Sequence, residues 1–315
     1  MRWNPVYKRE LTVSSRSIRM TAILFLFNSI LATVALFNMY SVVEQVKLTA
    51  EIQYSRFLEL YTFVSTVEFI MLLFIMPALT ASSISGERER QTLELMLTTT
   101  MSPKEIILGK LMTSLTTMLL LAVAALPVQS LVFVYGGITV MDMACLFLLH
   151  GIVAAFTGGI GIFMSSLFKR STIATVCTYT VIVLLVAGTW SVNIFAYRMA
   201  LNEMNSYSYA MNSAIQQAST GGLLYLLLFN PAVTFFALMN GQAGNGDIRL
   251  SFGQWFGAVP DNFVMGHWVV ISLGVQLVLA VILAAAAIYT VAPVRGGGIR
   301  EVRKKKEKKE SGKDA

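Results

Sequence analysis

Charge is scarce in this sequence. Asp, Glu, Lys and Arg make up 13% of its 315 residues, against 56% hydrophobic residues. A soluble domain ordinarily carries about 25% charged residues, so the pair of soluble domains that the length alone would suggest is excluded. Cysteine is nearly absent. Its two copies, Cys145 and Cys177, lie inside apolar runs and supply neither a disulfide framework nor a metal site. Histidine is equally rare, and His150 has no companion ligands near it in sequence, so no metal centre is expected. A GxxxxGK[ST] phosphate loop is missing; Ser311-Gly312-Lys313 lacks the upstream glycine. No Ser-His-Asp order or pair of carboxylates stands on a catalytic frame. No catalytic residue is assigned, and any work must be powered by a partner or an ion gradient.

What the chain has is length of apolar run. About 20 helical residues cross the hydrocarbon of a bilayer. Six runs reach that length: Met20 to Tyr40, Leu60 to Ser83, a stretch within Ile106 to Tyr135, Met143 to Phe168, Ser171 to Phe195, and Trp268 to Ala292. The first has no small-residue cleavage site and too many spans follow it for a signal peptide. Twenty of the 24 Lys and Arg fall before span one, between spans two and three, between spans four and five, or after span six. Only Lys47, Arg56, Arg198 and Arg249 fall on the other side. The positive-inside rule then places both termini in the cytoplasm. The tail 293–315, with its run KKKEKKESGKD, is expected to be disordered beside anionic lipid. Nucleic acid is not an expected partner, because the positive charge follows the membrane topology.

The outer connections are uneven. Thr139 and Asp142 have capping-box spacing at the start of span four. Residues 196–267 form one long outer region. In it Met204, Tyr207, Met211 and Ile215 recur at helical spacing, which predicts an amphipathic helix at the interface. Leu223 to Leu238 is apolar but broken by Asn230-Pro231. It is too short for an easy crossing, so a re-entrant or interfacial hairpin is expected rather than a seventh span. The stretch GQAGNGDIRLSFGQWFGAVPDN reads as an ordered outer loop.

The densest charge lies between spans two and three, in ISGERERQTLELMLT, residues 84–98. Leu93, Met96 and Leu97 share one helical face, and Glu87, Arg88, Glu89, Arg90 and Glu94 occupy the others. A short amphipathic helix is predicted. Ser102-Pro103-Lys104-Glu105 then offers a cap, a proline at the first helical position and an acid at the third. Span three begins there and leaves through Ile106-Ile-Leu-Gly109-Lys110. The charged helix reads either as an interfacial anchor or as a docking element for a soluble partner.

The run PALTASSISGERERQTLELMLTTTMSPKEIILGKL resembles the signature region of type-2 ABC-transporter permeases, the membrane subunits of one class of ABC exporters. The matching positions are Glu87-Arg88, Thr92-Leu93-Glu94, Leu97, Ser102-Pro103, Glu105-Ile106 and Gly109-Lys110. Asn4 to Glu10 resembles the family's entry to its elbow helix. The resemblance implies an all-α membrane protein with six spans. It implies an elbow helix at 1–19, a transmembrane domain over 20–292, a coupling helix at 85–98, and small outer helices before span six. It further implies a separate cytoplasmic ATPase, two copies per complex, holding ATP and Mg2+ that this chain does not bind. A second permease copy or a related permease would complete the assembly in a prokaryotic cell membrane. Glu87, Arg88, Glu89, Arg90, Gln91 and Glu94 become the candidate ATPase contacts; Leu93, Leu97, Ser102, Pro103, Glu105, Gly109 and Lys110 become the supporting structure. Gln91 replaces the family's usual glycine, which reads as a minor change at an exposed helical site.

Inside the spans, Glu68 is an intramembrane acid and the candidate pathway residue. Asn28, Asn38, Gln129 and Asn193 either line a conduit or join helices. Span four repeats small residues at four-residue spacing: Gly151, Ala155 and Gly159, Ala154 and Gly158, Gly161 and Ser165. Such faces let helices approach closely in lipid, and Gly151, Gly158 and Gly159 are the expected packing positions. The cargo is not written in the composition, and a gradient-driven carrier or a non-transporting sensor are the alternative functions.

Overall fold

Hydrocarbon offers no water to backbone N–H and C=O groups, so a long apolar run satisfies them internally by coiling into helix. The computed structural model describes residues 5–49, 54–98, 101–135, 137–210, 218–244 and 246–291. The basic tail, Asn4, Met211 and Ile215 lie outside the described residues. Helix α1 (Pro5–Ser15) turns into α2 (Ile18–Thr49), and α3 (Tyr54–Thr80) follows. Two short helices come next, α4 (Ser85–Glu89) and α5 (Thr92–Thr98). The long helices α6 (Pro103–Tyr135) and α7 (Val140–Leu167) lead to α8 (Ser171–Val183). A π-helical turn, Leu184–Gly188, joins α8 to α9 (Thr189–Ala210). A 3-10 helix (Gly221–Phe229), α10 (Pro231–Ala243), α11 (Ile248–Phe256) and α12 (Phe263–Gly266) precede α13 (Trp268–Val291).

Among the described residues, six stretches are long and apolar enough to cross a membrane: Met20–Ser41, Phe57–Glu89, Pro103–Ser130, Val140–Leu167, Ser171–Asn205 and Trp268–Val291. They are the six expected spans. No β-strand is present among the described residues, only an isolated bridge between Ser219 and Gly257. Span one leaves Phe25 and Phe37 about three-quarters exposed, as a lipid-facing helix can.

Span four, α7, is the axis of the bundle. Its buried residues include His150, Val153, Ala154 and the whole run Phe156–Ile162. The predicted capping box starts it: the Thr139 hydroxyl accepts from the Asp142 N–H, and Asp142 accepts from the Thr139 N–H at 2.9 Å. The glycines then admit three neighbours. A β-carbon at Gly158 would run into Met76 of span two, and one at Gly159 would lie 3.4 Å from the Ala280 carbonyl oxygen of span six. Gly161 is tighter still, against Thr80 and 3.3 Å from the Ala81 nitrogen. Gly151 departs from the expectation. A β-carbon there would meet only Leu119 at 3.8 Å, an ordinary contact. It sits on an outer apolar groove with Val123 and Phe147.

One outer expectation changes and another holds. The helix containing Met204 is not a separate interfacial element: α9 carries span five on to Ala210. Residues 196–210 contain no Gly or Pro, so nothing stops the helix where its hydrophobicity falls. The run around Asn230-Pro231 does bend back, by 94° between the 3-10 helix and α10. Pro231 lacks an N–H and suits the first position of α10, while the Asn230 side-chain oxygen accepts from the Ala232 N–H at 2.9 Å. The same Asn230 donates to the Val186 carbonyl at 2.8 Å and to the Thr189 hydroxyl at 2.9 Å. One residue thus caps α10 and satisfies the irregular backbone of the π turn in span five.

Candidate functional site

The charged segment is two helices, not one. α4 ends at Glu89, α5 begins at Thr92, and Gln91 between them has a φ of 59°. That is left-handed backbone, which costs an L residue about 1–2 kcal/mol and glycine almost nothing. The reading of Gln91 as a minor change at a helical site is therefore corrected: it occupies the break, where a glycine is the unstrained residue.

Three charges at this break bond back to the bundle, each to a different part, Glu89 while itself exposed. Glu87 accepts from the Lys110 ammonium at 2.6 Å, and Glu10 of α1 accepts from the same nitrogen at 2.8 Å. Lys110 is 6% exposed, so its two carboxylates provide the neutralisation that a buried ammonium requires. The second Glu87 oxygen is buried without a hydrogen-bond partner. Arg88 donates to the Ser166 carbonyl at 3.1 Å and the Phe168 carbonyl at 3.2 Å. Those carbonyls close span four, the negative end of its helix dipole. Glu89 accepts from the Ser171 N–H at 2.9 Å and the Ser171 hydroxyl at 2.6 Å. Ser171 opens span five, the positive end of its dipole. Adjacent opposite charges thus clasp both sides of the turn between spans four and five. Bonding from the Ser171 hydroxyl first, and from its N–H second, holds the Glu89 carboxyl below the ordinary value of 4.5.

Ser165 completes the attachment. Its hydroxyl accepts from the Ile84 and Ser85 N–H groups, each at 2.9 Å, and so holds the start of α4 to span four. Leu93 is buried, and Met96 and Leu97 pack against the same core. Ser102 and Glu105 form the expected reciprocal cap: Glu105 accepts from the Ser102 N–H at 2.8 Å, and Ser102 accepts from the Glu105 N–H at 3.3 Å. Pro103 heads span three. The Gly109 carbonyl accepts from the Thr113 hydroxyl at 2.9 Å, one turn on.

What remains outward is Arg90, Gln91, Thr92, Glu94 and Leu95. All are exposed, Leu95 by 69%. No side-chain bond or ion pair is found for Arg90 or Glu94 among the described residues. The segment is thus a body anchored to α1 and spans three, four and five, with a bare outer face.

The sequence profile of the ABC-2 family transporter proteins matches residues 4–294. The chain belongs to this family. No curated protein matches the sequence. The protein is a multi-pass membrane permease subunit of an ABC transporter. In its family the permease is a membrane subunit without an ATPase site of its own and works with a cytoplasmic ATPase.

Elsewhere in the permease, Glu68 is 1% exposed inside the bundle. Gln129 of span three donates to it, and His150 of span four lies 3.9 Å away. Glu68 joins three spans and is absent from the walls of the nearby groove between spans two, five and α10. Asn28 bonds within its own helix, to Leu24, and Asn193 to Thr189. Sequence reasoning missed Glu10, Ser165 and Ser171 as members of the clasp. Ser165 carried a signal, since it pairs with Gly161 at small-residue spacing; Ser171 had only its place at the head of span five, and Glu10, in the middle of α1, had none.

Proposed function

We propose that this permease forms the substrate pathway of an ATP-driven exporter and that residues 85–98 are its coupling element. In this reading both termini are cytoplasmic, α1 is the elbow helix, and a second permease copy or a related permease completes the assembly. Two cytoplasmic ATPase subunits bind the ATP and Mg2+. The observation that carries the reading is the division of the charged segment into an inward clasp and an outward face. Glu87, Arg88 and Glu89 are spent on the protein's own helices. Gln91, Glu94 and Leu95 are left for the partner, with Leu95 as its apolar anchor and Glu94 setting register by charge. A push on that face has little slack to take up, since α4 is bonded to the ends of three spans and α5 is tied to it by Thr92 and seated on the core through Leu93. It becomes movement at the junction of spans four and five and at the head of span three.

The test is crosslinking in membranes from cells co-expressing the permease with an ATP-binding-cassette ATPase that supports its transport. Single cysteines replace Gln91, Glu94 or Leu95 in a background lacking Cys145 and Cys177. Crosslinks to the ATPase are expected from all three, and none from a cysteine at Asp261 in the outer region. Equal crosslinking from Asp261, or none from the three, overturns the reading and returns the segment to an interfacial anchor.

A further inference from the structure

A second pocket lies beside the clasp and is not used by it. It has a volume of about 640 Å³ and is bounded by α1, the start of span one, α4, α5 and span three. That is within the range of small-molecule sites, roughly 300–1,000 Å³. Its charged lining is Arg9, Glu10, Glu87, Arg90 and Lys110. Both acids are already bonded to Lys110, at 2.8 and 2.6 Å. Arg9 and Arg90 have no hydrogen bond or ion pair by side chain among the described residues, and both are exposed. Each arginine is placed by the clasp. Arg9 precedes Glu10 on α1, and Arg90 lies three residues after Glu87 at the end of α4, so fixing the two acids on Lys110 brings both arginines into the lining of one cavity. The rest of the wall mixes eight apolar residues, among them Val13, Met20, Leu79 and Met96, with six serines and threonines. The three cations exceed the two acids by one charge.

We propose that this pocket binds one anionic phospholipid, its phosphodiester bridged by Arg9 and Arg90 and an acyl chain laid along Val13, Met20 and Met96. A phosphodiester carries one negative charge, the complement of the pocket's excess. Guanidinium groups bind phosphate oxygens by paired charge-assisted hydrogen bonds, and basic pockets between spans are fitted to anionic headgroups. The apolar wall is what a free phosphate would leave bare. The bound lipid would staple α1 to α4 and stiffen the segment that carries the coupling face. Assignment to the cytoplasmic leaflet rests on the topology proposed above. The binding itself does not, and a nanodisc exposes both leaflets, so failure below leaves the topology and coupling readings standing.

The experiment uses the full chain in nanodiscs of phosphatidylcholine, with or without one-fifth phosphatidylglycerol. Thermal unfolding and retained phosphatidylglycerol, by mass spectrometry, are the readouts. A ligand that saturates the folded protein alone raises its midpoint, and a rise of about 3–6 °C is expected for a chain of this size. Arg9→Gln with Arg90→Gln should abolish the rise and the retained lipid; neither side chain makes a hydrogen bond or ion pair among the described residues, and Arg90 acts only through space on the exposed Glu89. Arg16→Gln, a basic change outside the pocket, should keep both. A rise retained in the double variant, or lost equally in Arg16→Gln, overturns the proposal in favour of diffuse surface charge. An equal rise from soluble glycerol 3-phosphate overturns it in favour of a free phosphate ligand.

Discussion

Lys110→Met removes the nitrogen that holds α1, α4 and span three together. Its two bonds are short, 2.8 and 2.6 Å, and the lysine side chain is 7% exposed. A hydrogen bond involving a charged group contributes about 1.5–3 kcal/mol. Glu10 and Glu87 keep 29% and 25% of their side chains in solvent, so the low end applies to each. The sum is about 3 kcal/mol, at the lower edge of the roughly 3–5 kcal/mol seen when one partner of a buried pair is removed. For a chain of 315 residues that lowers the unfolding midpoint by roughly 4–5 °C. The assay is thermal unfolding in nanodiscs at a fixed scan rate, since unfolding of membrane proteins is commonly irreversible. The decisive comparison is the triple variant Lys110→Met, Glu10→Gln, Glu87→Gln. Much of the single variant's loss comes from two carboxylates left facing each other, so neutralising them should restore part of the midpoint. A single variant as stable as the wild type, or a triple variant worse than the single one, would refute the clasp.

Three further outcomes are expected. Gln91→Gly relieves the left-handed strain and should raise stability by up to about 1 kcal/mol, whereas Gln91→Val should lower it; unfolding midpoints of the two variants check the sign. Glu89 has a folded pKa below 4.5, so its bond to Ser171 contributes in full above that value and is lost as pH falls through the lower, folded pKa. The midpoint difference between wild type and Glu89→Gln should therefore be constant from pH 8 to pH 5 and shrink in stronger acid; a difference that vanishes between pH 7 and 6 contradicts the bond. Gly158→Leu and Gly161→Leu should sharply reduce assembled protein in the membrane, while Gly151→Leu, facing an open groove, should leave it near normal by fluorescence-detected size exclusion.

The spans were legible because each is a long apolar run with basic residues gathered at one of its ends, and hydrocarbon leaves the backbone one solution. The bend at Asn230-Pro231 was legible from the missing N–H of proline. The caps at Thr139 and Ser102 were legible because their partners lie three residues away. The clasp was not, because its bonds join Glu87 to Lys110, Arg88 to Ser166 and Glu89 to Ser171, between residues distant in sequence. Charge at helical spacing suggests a solvated or partner-facing surface equally well. The break at Gln91 was hidden for another reason: glutamine is a good helix former, and only the backbone shows that the chain turns left-handed there. The far end of span five was misjudged because hydrophobicity, and not the helix, stops near Phe195.

The central claim is that the charged segment carries movement from the ATPase to the junction of spans four and five. It is tested most directly by spin-label distances in the assembled complex, before and after trapping the ATPase with ATP and vanadate. Labels go at residues 95 and 170, with a reference at residue 261. The account predicts that the 95–170 distance stays constant on trapping while both distances to 261 change, and that Arg88→Gln with Glu89→Gln lets residue 95 move without residue 170. A 95–170 distance that changes on trapping in the wild type, or one that stays constant in the double variant, would contradict it.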